Sequence, residues 1–382
     1  MLKRILAVSL VVGSIVLLGV GLRSESGAPY NRDFIAYWTA GQLLVHHQNP
    51  YSDSGVLALE RESGYRLAVP LIMRNPPWAL PLVVPLGYVS AYVGVLGWIL
   101  AIVASIVVAV RLLKVVNGNP DSQDHLLAYW FAPVLACVTL AQTSPFACLG
   151  LVLFLYWRND RPFAAGLAAS IMLIKPHLFV LFFLVMLIET VATRSYRRIY
   201  GILTGFILAI SVPLAYDHSV LSQYFIRSRV SQIGEEFIPS LPGLLRMMIA
   251  RQAFWVQFVP IAIASVWAVW YYQRHRGHWE WNREGLMLVL VSVWAAPYSL
   301  LVDEVVLLPA VVAAIYFTGG DGRPNKATIT VFFILNGIAF VLLFAQVSIM
   351  SGAYIWTSTA WVGWYLYATR PTARFAVARS SS

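Results

Sequence analysis

Hydrophobic runs separated by short polar breaks organise nearly the whole chain. Runs suited to crossing about 30 Å of hydrocarbon fall at residues 5–22, 86–113, 125–141, 145–157, 162–175, 177–191, 198–215, 253–272, 285–298, 303–318, 327–347 and 354–369. Several are short and meet at proline, so the pattern predicts a polytopic all-α bundle of about 11–13 transmembrane helices, one membrane domain over residues 1–382. The run at 5–22 follows Lys3 and Arg4 as a signal peptide would, but no small-x-small cleavage site precedes Arg23, so it is expected to stay as a first helix.

Two longer polar stretches, 23–85 and 216–251, interrupt the runs, and a basic tail occupies 370–382. In the first stretch Phe34, Tyr37, Trp38, Gly41, Leu44 and Val45 recur at helical spacing, which predicts an amphipathic helix lying at the interface with aromatic anchors. Asn75-Pro76-Pro77-Trp78 closes that stretch and returns the chain to the membrane.

Composition agrees with the pattern: 59% of the residues are hydrophobic and 12% charged, against about 25% charged in soluble domains. The formal net charge of +10 invites a nucleic-acid reading, but its distribution argues for a membrane one. Of 27 Lys and Arg, 17 cluster in short connections on alternate sides of the runs, from Lys3 and Arg4 through Arg194, Arg197 and Arg198 to Arg370, Arg374 and Arg379. Basic residues gather on the cytoplasmic side, so both termini are expected inside and the two long stretches outside. Cys137 and Cys148 lie in apolar runs without metal-type spacing, which argues against disulfides and zinc.

With that topology Asp33, Asn75, Gln142, Lys175, His177, Tyr298 and Asp303 all fall on the outer side, at helix ends or in loops. Ionisable residues at membrane depth mark functional sites, and this one-sided gathering points to a single site at the outer surface. Locally each has an ordinary role as well. Asp33 suits a helix N-cap as well as a general base, although Ala36 stands where a capping box would place Glu or Gln. Pro176 turns the chain while Lys175 and His177 either snorkel or, as the pattern favours, receive a phosphate at an exposed helix start. Asp303 and Glu304 complement a helix dipole, and Asp303 equally suits sugar hydroxyls. No phosphate-binding G-x-x-x-x-G-K-[ST] loop, H-E-x-x-H pair, G-x-S-x-G elbow or G-x-G-x-x-G fingerprint occurs, so nucleotide hydrolysis, zinc proteolysis and serine hydrolysis lack their usual devices; were the protein to transfer a sugar, its donor would be membrane-resident.

Asp33-Phe34 through Tyr37-Trp38-x-Ala40-Gly41, followed by Asn49-Pro50-Tyr51, resembles the first-loop signature of polyprenyl-phosphate-dependent glycosyltransferases with the C-type membrane fold, and in particular glycosyltransferase family 87. Asn75-Pro76-Pro77, Ala141-Gln142-Thr143-Ser144-Pro145, Ile174-Lys175-Pro176-His177, Ser240-Leu241-x-Gly243-Leu244 and Pro297-Tyr298 with Asp303 are similar to further family patterns in the same order, from about residue 30 to 310. Two departures stand out: His47-Gln48 precedes Asn49-Pro50-Tyr51 where the family has Gly, and Pro239 replaces a polar residue.

The resemblance implies an inverting transferase in the bacterial plasma membrane. It would move a sugar, typically mannose, from a polyprenyl monophosphate to a lipid or glycan hydroxyl, without metal or cofactor. It implies Asp33 as catalytic base, Lys175 and His177 as donor-phosphate ligands, and Tyr37, Tyr51, Asn75, Gln142, Tyr298 and Asp303 as substrate-binding residues. Membrane lipids and the two substrates are the expected partners, and nucleic acid is not. A multi-pass lipid or solute transporter is the alternative, for which a binding site near the bilayer midplane between repeated halves would be expected.

Overall fold

The computed structural model describes residues 32–66, 68–230, 236–317 and 325–370. The expected helix at 5–22, Gly234 and Glu235 of the second polar stretch, and the tail beyond Arg370 lie outside them. Among the described residues the chain is all helical, without a strand. In order the helices are α1 (Arg32–Val45), α2 (Asp53–Glu62), α3 (Ala91–Val116), α4 (Ala132–Thr139), α5 (Ser144–Trp157), α6 (Pro162–Met172), α7 (Val180–Thr193), α8 (Arg197–Tyr216), α9 (Val220–Val230), α10 (Leu241–Ile249), α11 (Val259–His275), α12 (Leu286–Ala295), α13 (Leu308–Phe317), α14 (Lys326–Phe344) and α15 (Thr357–Thr369).

Each predicted run from 86–113 onward contains a helix, but only four helical stretches among the described residues are long and apolar enough to cross a bilayer: 91–116, 197–216, 254–278 and 326–344. They carry large apolar side chains on open faces, among them Leu100 on α3, Ile207 and Leu208 on α8, Ile263 and Val266 on α11 and Val341 on α14. Those are the faces suited to lipid.

The other runs are cut short. The run at 125–141 becomes a 3₁₀ turn (Asp124–Trp130) and the eight-residue α4, and the run at 303–318 becomes a turn (Leu301–Leu307) and the ten-residue α13. Nearly every residue of α4, α13 and that turn is buried by protein. Their apolarity thus serves internal packing, and periodicity alone does not separate that from lipid contact.

The predicted helix of the first polar stretch exists as α1, but it is not a surface helix. Phe34, Ile35, Ala36, Tyr37, Trp38, Thr39, Ala40, Leu43 and Leu44 are all buried, which covers more than one stripe of the helix. Its C-terminal half presses on the turn Val84–Tyr88: a Cβ on Gly41 would strike the Val83 carbonyl, and one on Gly87 the Gly41 carbonyl. The contact is fixed by Gln42 Nε2, which donates to the Leu86 and Val89 carbonyls at 3.1 and 3.0 Å, and by Trp38 Nε1, which donates to the Val89 carbonyl at 2.9 Å. Asp33 is therefore carried on a clamped element.

The tightest helix pair is α6 against α8. Gly201 and Gly205, four apart on α8, face Phe163, Leu167 and Ser170 of α6, while a Cβ on Gly166 would strike the Arg198 carbonyl. Small residues at this spacing let membrane helices approach backbone to backbone. Gly166→Ala is expected to force the pair apart and to destabilise the protein by about 1–3 kcal/mol, measured as an earlier thermal transition in detergent; an unchanged transition would mean the seam is looser than described. The pair delivers the chain to Lys175, just past the end of α6.

Candidate functional site

Three chain breaks meet at the start of α1. The first follows α4, where Ala141 takes a left-handed backbone (φ +53°), a conformation costly for a residue with a Cβ. Its amide carbonyl accepts from Trp98 Nε1 of α3 at 2.8 Å. This fixed kink turns Gln142 towards α1. The second is Lys175-Pro176-His177 between α6 and α7, and the third is the turn Leu301–Leu307 with Asp303.

Together these segments form one hydrogen-bonded relay. Gln142 Nε2 donates to Asp33 Oδ2 at 2.7 Å, and Gln142 Oε1 accepts from Lys175 Nζ at 3.4 Å. Lys175 Nζ donates to Asp303 Oδ1 at 2.6 Å, an ion pair whose side chains are 12% and 7% exposed. Ser144 Oγ adds a donor to Asp303 Oδ1 at 3.0 Å and the Leu300 amide one to Oδ2 at 3.0 Å. The amide of Gln142 has one productive orientation here: its NH₂ must face the carboxylate and its oxygen the ammonium. The relay thus joins acid, amide, cation and acid in alternating polarity.

Around it, Asn75 Nδ2 donates to Thr143 Oγ1 at 3.4 Å and to the Ile174 carbonyl at 3.5 Å, tying the Gln142 and Lys175 breaks together. Trp78 Nε1 donates to the Leu173 carbonyl at 2.7 Å. His177 lies against Tyr298, ring centroids 5.2 Å apart, and Tyr298 stacks on Phe254 at 6.3 Å. Burial pushes the His177 imidazole down to about 4, with Asp303 opposing and Lys175 reinforcing the fall, so it is neutral at physiological pH and offers one N–H. Burial pushes the Asp303 carboxyl up, and Lys175, His177 and its hydrogen bonds bring it below the ordinary carboxylate range. Burial raises the Tyr37 phenol above its ordinary range; it stays protonated beside Asp33.

Of the nine residues singled out by sequence, Asp33, Gln142, Lys175 and Asp303 share the relay, Asn75 braces it, and His177 and Tyr298 form its aromatic flank. Tyr37 is buried within electrostatic reach of Asp33 and bonds to Thr143. Tyr51 is placed differently: it packs on Tyr224, centroids 5.4 Å apart, with its hydroxyl buried. Sequence reasoning missed Ser144, Thr143 and Arg74. The first two sit beside Gln142 in the same motif, which was the available signal. Arg74 precedes Asn75, feels the charge of Asp33, and is gripped by Glu236, Nη1 to Oε2 at 2.7 Å. Among the described residues no three His, Cys, Asp or Glu side chains are grouped to hold a metal ion.

Fold and site together define a helical membrane protein with a largely buried polar centre flanked by the rings of His177 and Tyr298. The profile of glycosyltransferase family 87 matches residues 74–302, more than half of the chain, and the chain belongs to that family of glycosyltransferases. No curated protein and no solved structure is significantly similar to it. The matched stretch includes Asn75, Gln142, Lys175, His177 and Tyr298 and ends one residue before Asp303, while Asp33 and α1 precede it.

Proposed function

We propose that this glycosyltransferase is an inverting enzyme of the C-type membrane fold. It transfers a sugar, most simply mannose, from a polyprenyl monophosphate to a lipid or glycan hydroxyl at the outer face of a bacterial plasma membrane. The observation that carries the reading is the relay from Asp33 through Gln142 to Lys175 and Asp303. It sets a half-buried carboxylate and a cation at opposite ends of one amide, a base on one side and a phosphate ligand on the other.

In the proposed step Asp33 takes the proton of the acceptor hydroxyl as that oxygen bonds to the anomeric carbon. The bond from that carbon to the phosphate oxygen breaks on the opposite side, and the lipid phosphate leaves with the electron pair as a stabilised anion. Lys175 spends one N–H on Asp303 and one on Gln142, which leaves a third for that phosphate. Neutral His177 adds a hydrogen bond without a second charge. The chemistry calls for no metal or cofactor, because the leaving group is already an anion that basic donors stabilise.

The test is incubation of the purified protein with radiolabelled polyprenyl-phosphate mannose and an envelope-lipid extract, followed by analysis of the new anomeric linkage. A labelled product of inverted configuration is expected. Transfer from a soluble sugar nucleotide instead, or a product of retained configuration, would refute the reading. In the same assay Gln142→Leu is expected to lower kcat by about ten- to a hundredfold, the worth of a hydrogen bond to a charged group, with a smaller change in donor KM. Activity within twofold of wild type would detach Gln142 from the base.

A further inference from the structure

Glu304 follows Asp303 in the turn Leu301–Leu307 and takes no part in the relay. It is 3% exposed, its Oε1 lies 2.5 Å from Thr357 Oγ1 at the start of α15, and its Oε2 meets no donor. Thr357 Oγ1 also lies 2.8 Å from the Tyr354 carbonyl. A hydroxyl has one hydrogen to give, whereas a carbonyl and a carboxylate have none. With Glu304 ionised, Thr357 would face two acceptors with a single proton, and Oε2 would be a buried anionic oxygen without any donor, a costly state. With Glu304 protonated on Oε1, that proton goes to Thr357 and the Thr357 proton goes to Tyr354. Each contact then has one donor and one acceptor.

Among the described residues, the helices packed most closely on this turn bring no charged side chain to it. The helices packed on this turn are α4, α5, α12, α13 and α15, and their titratable side chains are Cys137, Cys148, Tyr156, Tyr316, Tyr365 and Tyr367. On the turn itself the neighbouring charge is Asp303, which is paired with Lys175 and lies near His177. Burial pushes the Glu304 carboxyl up to about 8, Thr357 opposing the rise and Asp303 adding to it.

We propose that Glu304 is a neutral carboxylic acid at physiological pH, and that its neutrality keeps the charge of Lys175 available to the anionic phosphate of the donor. The second half rests on the reading of Lys175 given above. Asp303 already offsets the ammonium once. A carboxylate at the next residue would give the turn a second negative charge and repel the phosphate. Glu304 is thus a positioning residue: it pins α15 to the turn that presents Asp303 while adding no charge of its own.

Two measurements test this. Infrared spectra of the purified wild-type protein at neutral pH are expected to contain a protonated-carboxyl stretching band that is absent from Glu304→Gln, and raising the pH to about 10 is expected to remove it from the wild type. In transfer assays at saturating acceptor, the donor KM of the wild type is expected to rise towards tenfold per pH unit above about pH 8. That of Glu304→Gln, whose amide imitates the protonated acid, is expected to rise less by the same factor. Absence of the band in wild type overturns the neutral acid. A band with superimposable KM profiles overturns the coupling to Lys175. If no transfer from a polyprenyl-phosphate sugar occurs at any pH, the coupling falls with the proposed function, while the infrared result still decides the protonation state.

Discussion

Asp33→Asn is expected to lower kcat by about 10²–10⁴-fold, the usual contribution of a positioned base, while the donor KM and thermal stability stay close to wild type. Asparagine keeps the shape of aspartate and retains a side-chain oxygen to accept from Gln142 Nε2, the 2.7 Å contact that fixes the side chain. The clamp on α1, through Gln42 and Trp38 to the Leu86 and Val89 carbonyls, is untouched. What asparagine lacks is the lone pair of an anion able to take a proton. Initial-rate kinetics beside a thermal melt separate the outcomes. Loss of both rate and stability would return Asp33 to a structural role at the start of α1, and full activity would remove the base from the mechanism.

Lys175→Ala is expected to raise the donor KM by at least tenfold and to destabilise the fold by about 3–5 kcal/mol, the cost of leaving a buried partner charge uncompensated. Asp303 would retain its bonds from Ser144 and the Leu300 amide, but these supply no positive charge. The double variant Lys175→Ala, Asp303→Asn removes both charges at once. It is expected to recover much of the stability without recovering donor use. Stability measured in detergent and donor KM measured in the same preparations check this: recovery of both together would mean that the ion pair is purely structural.

The runs of apolar residues located helices from residue 86 onward, because burial and lipid both demand them. They did not say which helices reach lipid. The 26 residues of α3 and the eight of α4 come from runs of similar look, and what separates them is where a 3₁₀ turn interrupts the run. Likewise α1 read as amphipathic from its aromatic stripe, but Ala36, Thr39 and Ala40 on its remaining sides are buried too, since small residues fit under a close neighbour as well as under water.

The site was more legible than the fold. Asp33, Gln142, Lys175 and Asp303 stood out because polar side chains in apolar surroundings need partners, and across more than 250 residues of sequence they became one another's. Glu304 was visible as the second acid of a pair, but its state depends on Thr357 and Tyr354, two residues with no distinguishing sequence context. Tyr51, from the same first-loop motif as Asp33, packs on Tyr224, a contact its motif gave no sign of.

The bond from Trp98 to the Ala141 carbonyl has a consequence for the membrane itself. Helix α3 has 26 residues, and its stretch before Arg111 is apolar, about 30 Å at 1.5 Å per residue, which matches a hydrocarbon core of about 30 Å. Its indole, from Trp98, is fastened to the residue that aims Gln142. A helix long enough to cross the bilayer is thus bonded directly to the backbone kink that aims Gln142, so the membrane span and the relay share one fixed point.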